Sequence, residues 1–381
     1  MIPYAQQQIS EADIAAVEAV LRSDWLTTGP QVPAFEAAIA AKVEAHHAVA
    51  VNSATSALHI ACLALGLGEG DWLWTSPNSF VASANVALLC GAQVDFVDID
   101  PRSYVMSADS LAAKLERAER EGRLPKVVMP VQFAGQCADM KAIAALARRY
   151  GFRLLEDASH AVGARYDGQP VGACLLSDIT VFSFHPVKIM TTGEGGVALT
   201  RDPDLARAMR LLRSHGVTRE AEQLEAEPEG AWVYEQQELG LNYRMTDLSA
   251  ALGLSQLKRL DEFLRQRHRL ARRYEALLAD APLTPPYQDP RSHSALHLFP
   301  IQVAQRAEVF RRMREAGIGV NVHYIPVHTQ PFYRRRGFAW GDFPVAEAYY
   351  RQAISLPLYV GLSQSAQDQV VAALLAALAE V

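Results

Sequence analysis

Cysteine is scarce and scattered in this 381-residue chain. Its four cysteines, Cys62, Cys90, Cys137 and Cys174, show no CxxC spacing, which argues against a zinc knuckle or a disulfide framework and fits a reducing cytoplasm. No uninterrupted apolar run approaches the roughly 20 residues that span a bilayer. The start, MIPYAQQQISEADI, lacks a basic segment followed by an apolar one, so no signal peptide is expected. An excess of positive charge is missing as well. The net charge of −6 provides no broad basic field for nucleic acid, although single arginines could hold a phosphorylated small molecule.

Three common ligand motifs are also absent. GLGEG at 66–70 is not GxGxxG, and it closes a helical segment rather than opening one. No GxxxxGK[ST] occurs. His323 and His328 are five apart without HExxH, so no metal is expected. The expectation is a cytoplasmic protein that binds neither membrane, nucleic acid nor metal.

What the chain does contain is an alternation of strand-like and helix-like segments from about residue 46. AVAV (48–51), DWLWTSP, AQVDFVDID, KVVMPVQF and FRLLEDAS alternate with helical stretches, and DITVFSF and GGVALT add two more strands. This rhythm predicts a mostly parallel sheet with helices on both faces, an α/β fold. After the polar stretch 219–232 the pattern becomes one long helical region, 245–280, with an interruption expected at Gly253. Beyond it, HSALHLFPIQV, QRAEVFRRMREAG and GVNVHYIPV read as a smaller α+β domain. The expected division is 1–250, including an N-terminal arm over 1–25, and 251–381.

Three stretches carry candidate chemistry. In NSATSAL (52–58) hydroxyls gather at a helix start, where unpaired N–H groups suit phosphate; taken alone, an ordinary N-cap is the readier explanation. In LLEDASHAVGA (154–164) Glu156 and Asp157 end a strand, facing the crevice where open α/β sheets bind ligands. An aspartate there can keep a ring nitrogen protonated; a helix cap, with His160 as packing, is the alternative. In FSFHPVKIMTTGEGG (182–196) Lys188 sits between Ser183 and His185 on one side and Gly193, Gly195 and Gly196 on the other. A lysine in an apolar pocket has a lowered pKa, and its neutral amine can form a Schiff base with an aldehyde; a surface loop lysine is the plain alternative. In this order, on such a sheet, an anion cradle, a pyridinium partner and a Schiff-base lysine describe a pyridoxal 5′-phosphate (PLP) site.

These segments, with RSHGV and LNYRMTDLSAALGLSQL, resemble the DegT/DnrJ/EryC1/StrS family of PLP-dependent nucleotide-sugar aminotransferases, from WLTTGPQVPAFE to VHYIPVHTQPFY and SLPLY. The resemblance implies the fold-type I transferase fold, with a seven-stranded type of sheet, and a homodimer with shared active sites. By motif, Lys188 would carry the cofactor covalently, Asp157 would pair with its ring nitrogen and His160 would sit near its 3-hydroxyl. Phe80 falls where the family places a ring-stacking aromatic. Ala54, Thr55 and Ser183, with Asn242 of the partner subunit, would hold the phosphate. His160 stands where relatives often have glutamine, and Ile189 follows the lysine where they often have proline. Relatives that dehydrate sugars at C3 carry histidine instead of the lysine, so Lys188 favours transamination.

SFHPVKIMTTGEGG and VHYIPVHTQPFY look most like members acting in pseudaminic acid synthesis. These move an amino group from L-glutamate to C4 of a UDP-linked 4-keto-6-deoxy-N-acetylhexosamine. The alternative is another nucleotide-linked 4-keto or 3-keto deoxysugar (dTDP, GDP or UDP). His185, Arg213, Arg244, His323 and Tyr324 are candidate contacts to the sugar nucleotide; packing or surface pairing explains each as readily. A cofactor-binding regulator without turnover would lack the lysine or carry a basic DNA-binding extension, and the sequence shows neither departure.

Overall fold

A computed structural model describes residues 1–380. Strands and helices alternate through its first half, as the sequence predicts. Seven strands, β1 (His47–Val51), β2 (Trp72–Thr75), β3 (Gln93–Phe96), β4 (Val127–Met129), β5 (Arg153–Asp157), β6 (Ile179–Ser183) and β7 (Gly196–Thr200), form one sheet. Their order is β1-β7-β6-β5-β4-β2-β3. The run from β6 to β3 is parallel, and β7 alone runs against both neighbours. Parallel neighbours need a crossover, and helices supply it elsewhere. No helix separates β6 from β7, only the Lys188 loop, so β7 returns antiparallel. The strands are buried almost throughout, as expected for a sheet covered on both faces.

The covering helices are α1 (Glu11–Leu21), α2 (Gln31–Val43), α3 (Ala54–Ala64), α4 (Ala82–Leu89), α5 (Ala108–Glu121), α6 (Met140–Tyr150) and α7 (Pro203–Arg213). A capping box of Ser10 and Asp13 opens α1. The Asp13 carboxylate is fully buried; it accepts from Gln256 Nε2 at 2.8 Å and from the Arg259 guanidinium, which fastens the N-terminal arm to the body.

The region 245–280 is two helices, α8 (Asp247–Leu257) and α9 (Leu260–Leu277), broken at Lys258 and Arg259 rather than at Gly253. Gly253 lies inside α8 because nothing larger fits. A Cβ there would stand 2.8 Å from both Phe35 Cε2 and Thr192 Cγ2. Phe35 belongs to α2 and Thr192 to the Lys188 loop, so the close approach fixes that loop against the helix layer.

The remaining chain builds a second apolar core. Strands β8 (Phe299–Gln302) and β9 (Ala353–Leu356) pair antiparallel, beside α10 (Arg306–Glu315), the short α11 (Pro331–Arg334), α12 (Pro344–Gln352) and α13 (Gln364–Ala379). Helix α9 spans both cores: Leu260 and Phe263 pack with the sheet, Leu270 and Tyr274 with Phe299 and Ile354. Arg267, fully buried between them, donates to the carbonyls of Leu296, His297 and Leu358 at 3.0–3.3 Å. Among the described residues no helix is long and apolar enough to cross a membrane.

Replacing glycine by alanine inside a helix normally gains about 1 kcal/mol. At Gly253 overpacking costs about 1–3 kcal/mol and reverses the sign. Gly253→Ala should therefore lower the Tm, whereas an unchanged or raised Tm would mean that α2 and α8 leave room.

Candidate active site

The site forms at the C-terminal ends of β5 and β6. Asp157 ends β5 and is 5% exposed. Its Oδ1 accepts the Ser159 hydroxyl at 2.5 Å and the Ser159 N–H at 3.1 Å, and its Oδ2 accepts the Ser83 hydroxyl at 2.6 Å. Three donors orient the carboxylate, and among the described residues no basic side chain is paired to it.

Lys188 lies in the loop after β6. Taken whole it is only half-buried, and its amine donates to no protein acceptor among the described residues. Burial, partly offset by the Asp157 charge, pulls its pKa down to about 8. Such an amine is neutral often enough to act as a nucleophile and can still hold a proton.

The anion cradle assembles because β7 passes very close to α3. Ser183 pairs with Gly196 in the sheet register, and a Cβ on Gly196 would fall 2.6 Å from Ala54 N and Cα. Only glycine permits that approach. At the helix start the Ser53 hydroxyl accepts the Ser56 N–H at 3.1 Å, so the predicted cap is real. The cap does not use everything: among the described residues the N–H groups of Ala54 and Thr55 and the Ser183 hydroxyl have no protein acceptor. Asn242 is exposed, and the neighbouring Tyr243 carbonyl accepts the Asn52 N–H at 2.9 Å, just ahead of the cradle. Arg244 bridges to Val51 and has no ion-pair partner among the described residues.

A ring of histidines and aromatics closes the other side. The His160 and His297 ring centroids are 4.4 Å apart, and the Tyr324 hydroxyl is 3.1 Å from His160 Nε2. His323 Nδ1 is 2.8 Å from the Ser355 hydroxyl. Burial, then the nearby Lys188 charge, pushes His160 well below the usual histidine range and pulls His323 down to about 3. Burial, then His160 and Lys188, pushes His297 well below that range too. Phe80 is 62% exposed, with its ring 6.4 Å from that of Tyr324.

The structure thus gathers Lys188, Asp157, His160, His323, Tyr324 and Phe80, and separately Ala54, Thr55 and Ser183. Two sequence candidates have other uses. His185 is exposed beside Glu194, 3.9 Å away. Arg213 is tied to Glu36 and to the Ala50 carbonyl at 2.5 and 2.8 Å, a clamp between α2 and β1. Neither pairing partner is readable from the local sequence. Ser83, Ser159 and His297 were missed. Ser159 lies inside EDASH and Ser83 three residues after Phe80, which was a usable signal; nothing local points to His297.

The residues fit a PLP group on three counts: an unpaired amine of lowered pKa, an oriented carboxylate for a ring nitrogen, and, among the described residues, unpaired donors at a helix start for a phosphate.

The model of the DegT/DnrJ/EryC1/StrS aminotransferase family matches residues 7–375. The chain is 41% identical to the spore coat polysaccharide biosynthesis protein SpsC of Bacillus subtilis, over 98% of this chain and 96% of that protein. It is 36% identical to a UDP-4-amino-4,6-dideoxy-N-acetyl-beta-L-altrosamine transaminase of Campylobacter jejuni, over 94% and 93%. Its fold matches the PMP-form of the putative sugar aminotransferase Spr1654 of Streptococcus pneumoniae with a TM-score of 0.91 at 30% identity, covering 100% of both chains.

The three neutral histidines make the fold acid-sensitive. Their folded pKa values lie below the unfolded value, so the unfolded chain binds more protons as pH falls. Stability is fully present above about pH 6.5 and declines by about 1.4 kcal/mol per pH unit per histidine below it. The cofactor-free protein should lose denaturant resistance steeply between pH 6.5 and 5; a flat profile there would contradict the neutral cluster.

Proposed function

The chain belongs to the DegT/DnrJ/EryC1/StrS aminotransferase family, and on that footing we propose that it transfers an amino group from L-glutamate to C4 of a UDP-linked 4-keto-6-deoxy-N-acetylhexosamine. The product would be UDP-4-amino-4,6-dideoxy-N-acetyl-β-L-altrosamine, in pseudaminic acid synthesis. The observation that carries transamination is the Lys188 amine, unpaired among the described residues and lowered in pKa by burial within reach of the Asp157 charge.

Lys188 would hold PLP, Asp157 would pair with its ring nitrogen, and the Ala54 and Thr55 N–H groups with Ser183 would hold its phosphate. When bound, PLP supplies an electron sink for the carbanion at the amino donor's Cα. The rest of the work falls to the chain. With a pKa of about 8, Lys188 Nζ can take the donor's Cα proton and return one at neutral pH. The Asp157 carboxylate holds a proton on the ring nitrogen, and Ser83 and Ser159 hold that carboxylate in orientation.

Arg244, without an ion-pair partner among the described residues, offers the sugar nucleotide a cation, and Tyr324 and His323 offer polar edges beside Lys188. His185 and Arg213 enter only by shedding Glu194 and Glu36. A second copy supplies Asn242 to the phosphate, which the exposure of Asn242, Phe80, Trp25 and Leu26 supports. The separate apolar core supports a smaller second unit within 251–381, while the rest of α8 and the start of α9 pack on the large unit, so the division falls later than 250. Four free cysteines agree with a cytoplasmic enzyme.

The pseudaminic reading draws support from the Campylobacter relative. The more similar Bacillus protein is named for spore coat polysaccharide synthesis, which favours as second reading a different nucleotide-linked keto sugar of a surface polysaccharide.

Lys188→Ala should abolish turnover and the visible absorbance of bound PLP; full activity in that variant would sink the scheme. A panel of UDP- and dTDP-4-keto-6-deoxy sugars with L-glutamate, followed by NMR of the product, decides the sugar. An axial C4 amine on the UDP sugar is expected. An equatorial amine, or a preference for dTDP, would overturn the finer reading in favour of the second.

A further inference from the structure

His160 is held by a donor that cannot reverse its role. The backbone N–H of Ala134 points at His160 Nδ1 at 3.2 Å, and a backbone N–H only donates. Nδ1 must therefore present a lone pair, which excludes both the Nδ1–H tautomer and the doubly protonated ring. The one ring proton sits on Nε2, 3.1 Å from the Tyr324 oxygen. That oxygen then accepts, and its own proton is left to donate elsewhere.

Ala134 is itself pinned. Its carbonyl accepts the His297 N–H at 2.9 Å, and its backbone takes a left-handed φ of 58°. Gln132, two residues earlier, spans to the buried Glu156 at 2.7 Å and to the Ala138 N–H at 2.7 Å, bracing the same turn. Tyr324 is braced at its backbone by Asn78 Oδ1 at 3.3 Å and on its ring face by Phe133. Burial, then the charges on Tyr4 and Asp157, raises its phenol far above the usual range, which keeps the hydroxyl a donor.

We propose that Ala134 fixes the tautomer of His160 and thereby turns Ala134, His160 and Tyr324 into a one-way hydrogen-bond chain, ending in a phenolic O–H that serves an unprotonated oxygen in the Lys188 site. Two oxygens share that chemistry: the phenolate of bound PLP and the C4 carbonyl of the keto sugar. Ala134 and His160 are positioning residues, and Tyr324 makes the contact. The identity of the accepting oxygen rests on the proposed function; the tautomer does not.

The first experiment uses the cofactor-free protein with 15N-labelled histidine at pH 7, the His160 signals being assigned by their loss in His160→Gln. Nδ1 should read as unprotonated and Nε2 as protonated. A protonated Nδ1 overturns the proposal, whether or not the protein proves to be an aminotransferase. The second uses Tyr324→Phe, which keeps the ring and removes the donor. If the acceptor is the PLP phenolate, the resting band of the PLP-loaded variant shifts in wavelength without substrate. If it is the sugar carbonyl, that band stays and the rate with keto sugar falls by at least about tenfold while the glutamate half-reaction holds. If neither the resting band nor the rate with keto sugar changes, the proposal is overturned. His160→Gln, whose amide can accept from Ala134 and donate to Tyr324, should retain the behaviour that His160→Leu loses; equal behaviour of the two variants counts against the chain.

Discussion

The site depends on lowering the pKa of one lysine amine by partial burial without giving it a partner. An amine paired closely to a carboxylate stays protonated and inert, whereas one in solvent keeps its ordinary pKa near 10. Lys188 escapes both. The Asp157 charge reaches it, but the Asp157 oxygens are occupied by Ser83 and Ser159. The histidines around it stay neutral, so they set no second positive charge beside it.

Holding that arrangement demands a rigid loop between β6 and β7. The Thr191 hydroxyl and the Thr192 N–H both donate to the Phe184 carbonyl, at 2.9 and 3.0 Å, and the Phe184 N–H donates to the Gly195 carbonyl at 2.9 Å. Gln256 of α8 accepts weakly from the Thr191 N–H while donating to the N-terminal arm at Gln8 and Asp13. Three separate parts of the chain therefore meet at one loop. The antiparallel return of β7 is part of the same solution, because it sets Gly196 against α3 and brings the anion cradle beside the lysine.

Local chemistry made much of this legible in the sequence. The strands announce themselves as buried apolar runs, and Asp157 and the start of α3 follow from where those runs stop. Lys188 stands out between an apolar strand and glycines. Contacts between distant residues were not legible. His297 reaches His160 only through a turn at Ala134, and the claims of Glu36 on Arg213 and of Glu194 on His185 appear only once the chain is folded. Gly253 was misjudged for a related reason: composition marks glycine as a helix breaker, whereas here the lack of a side chain lets two helices and the lysine loop touch. The same local motifs do not encode the sugar, whose recognition draws on residues far apart in the chain.

The central claim is that Lys188, alone among the lysines, anchors PLP. Loading the purified protein with PLP, reducing it with borohydride and mapping the peptides by mass spectrometry tests it most directly. The account predicts one phosphopyridoxyl-bearing peptide, with the label on Lys188. A label on another lysine, with Lys188 unmodified, would contradict it.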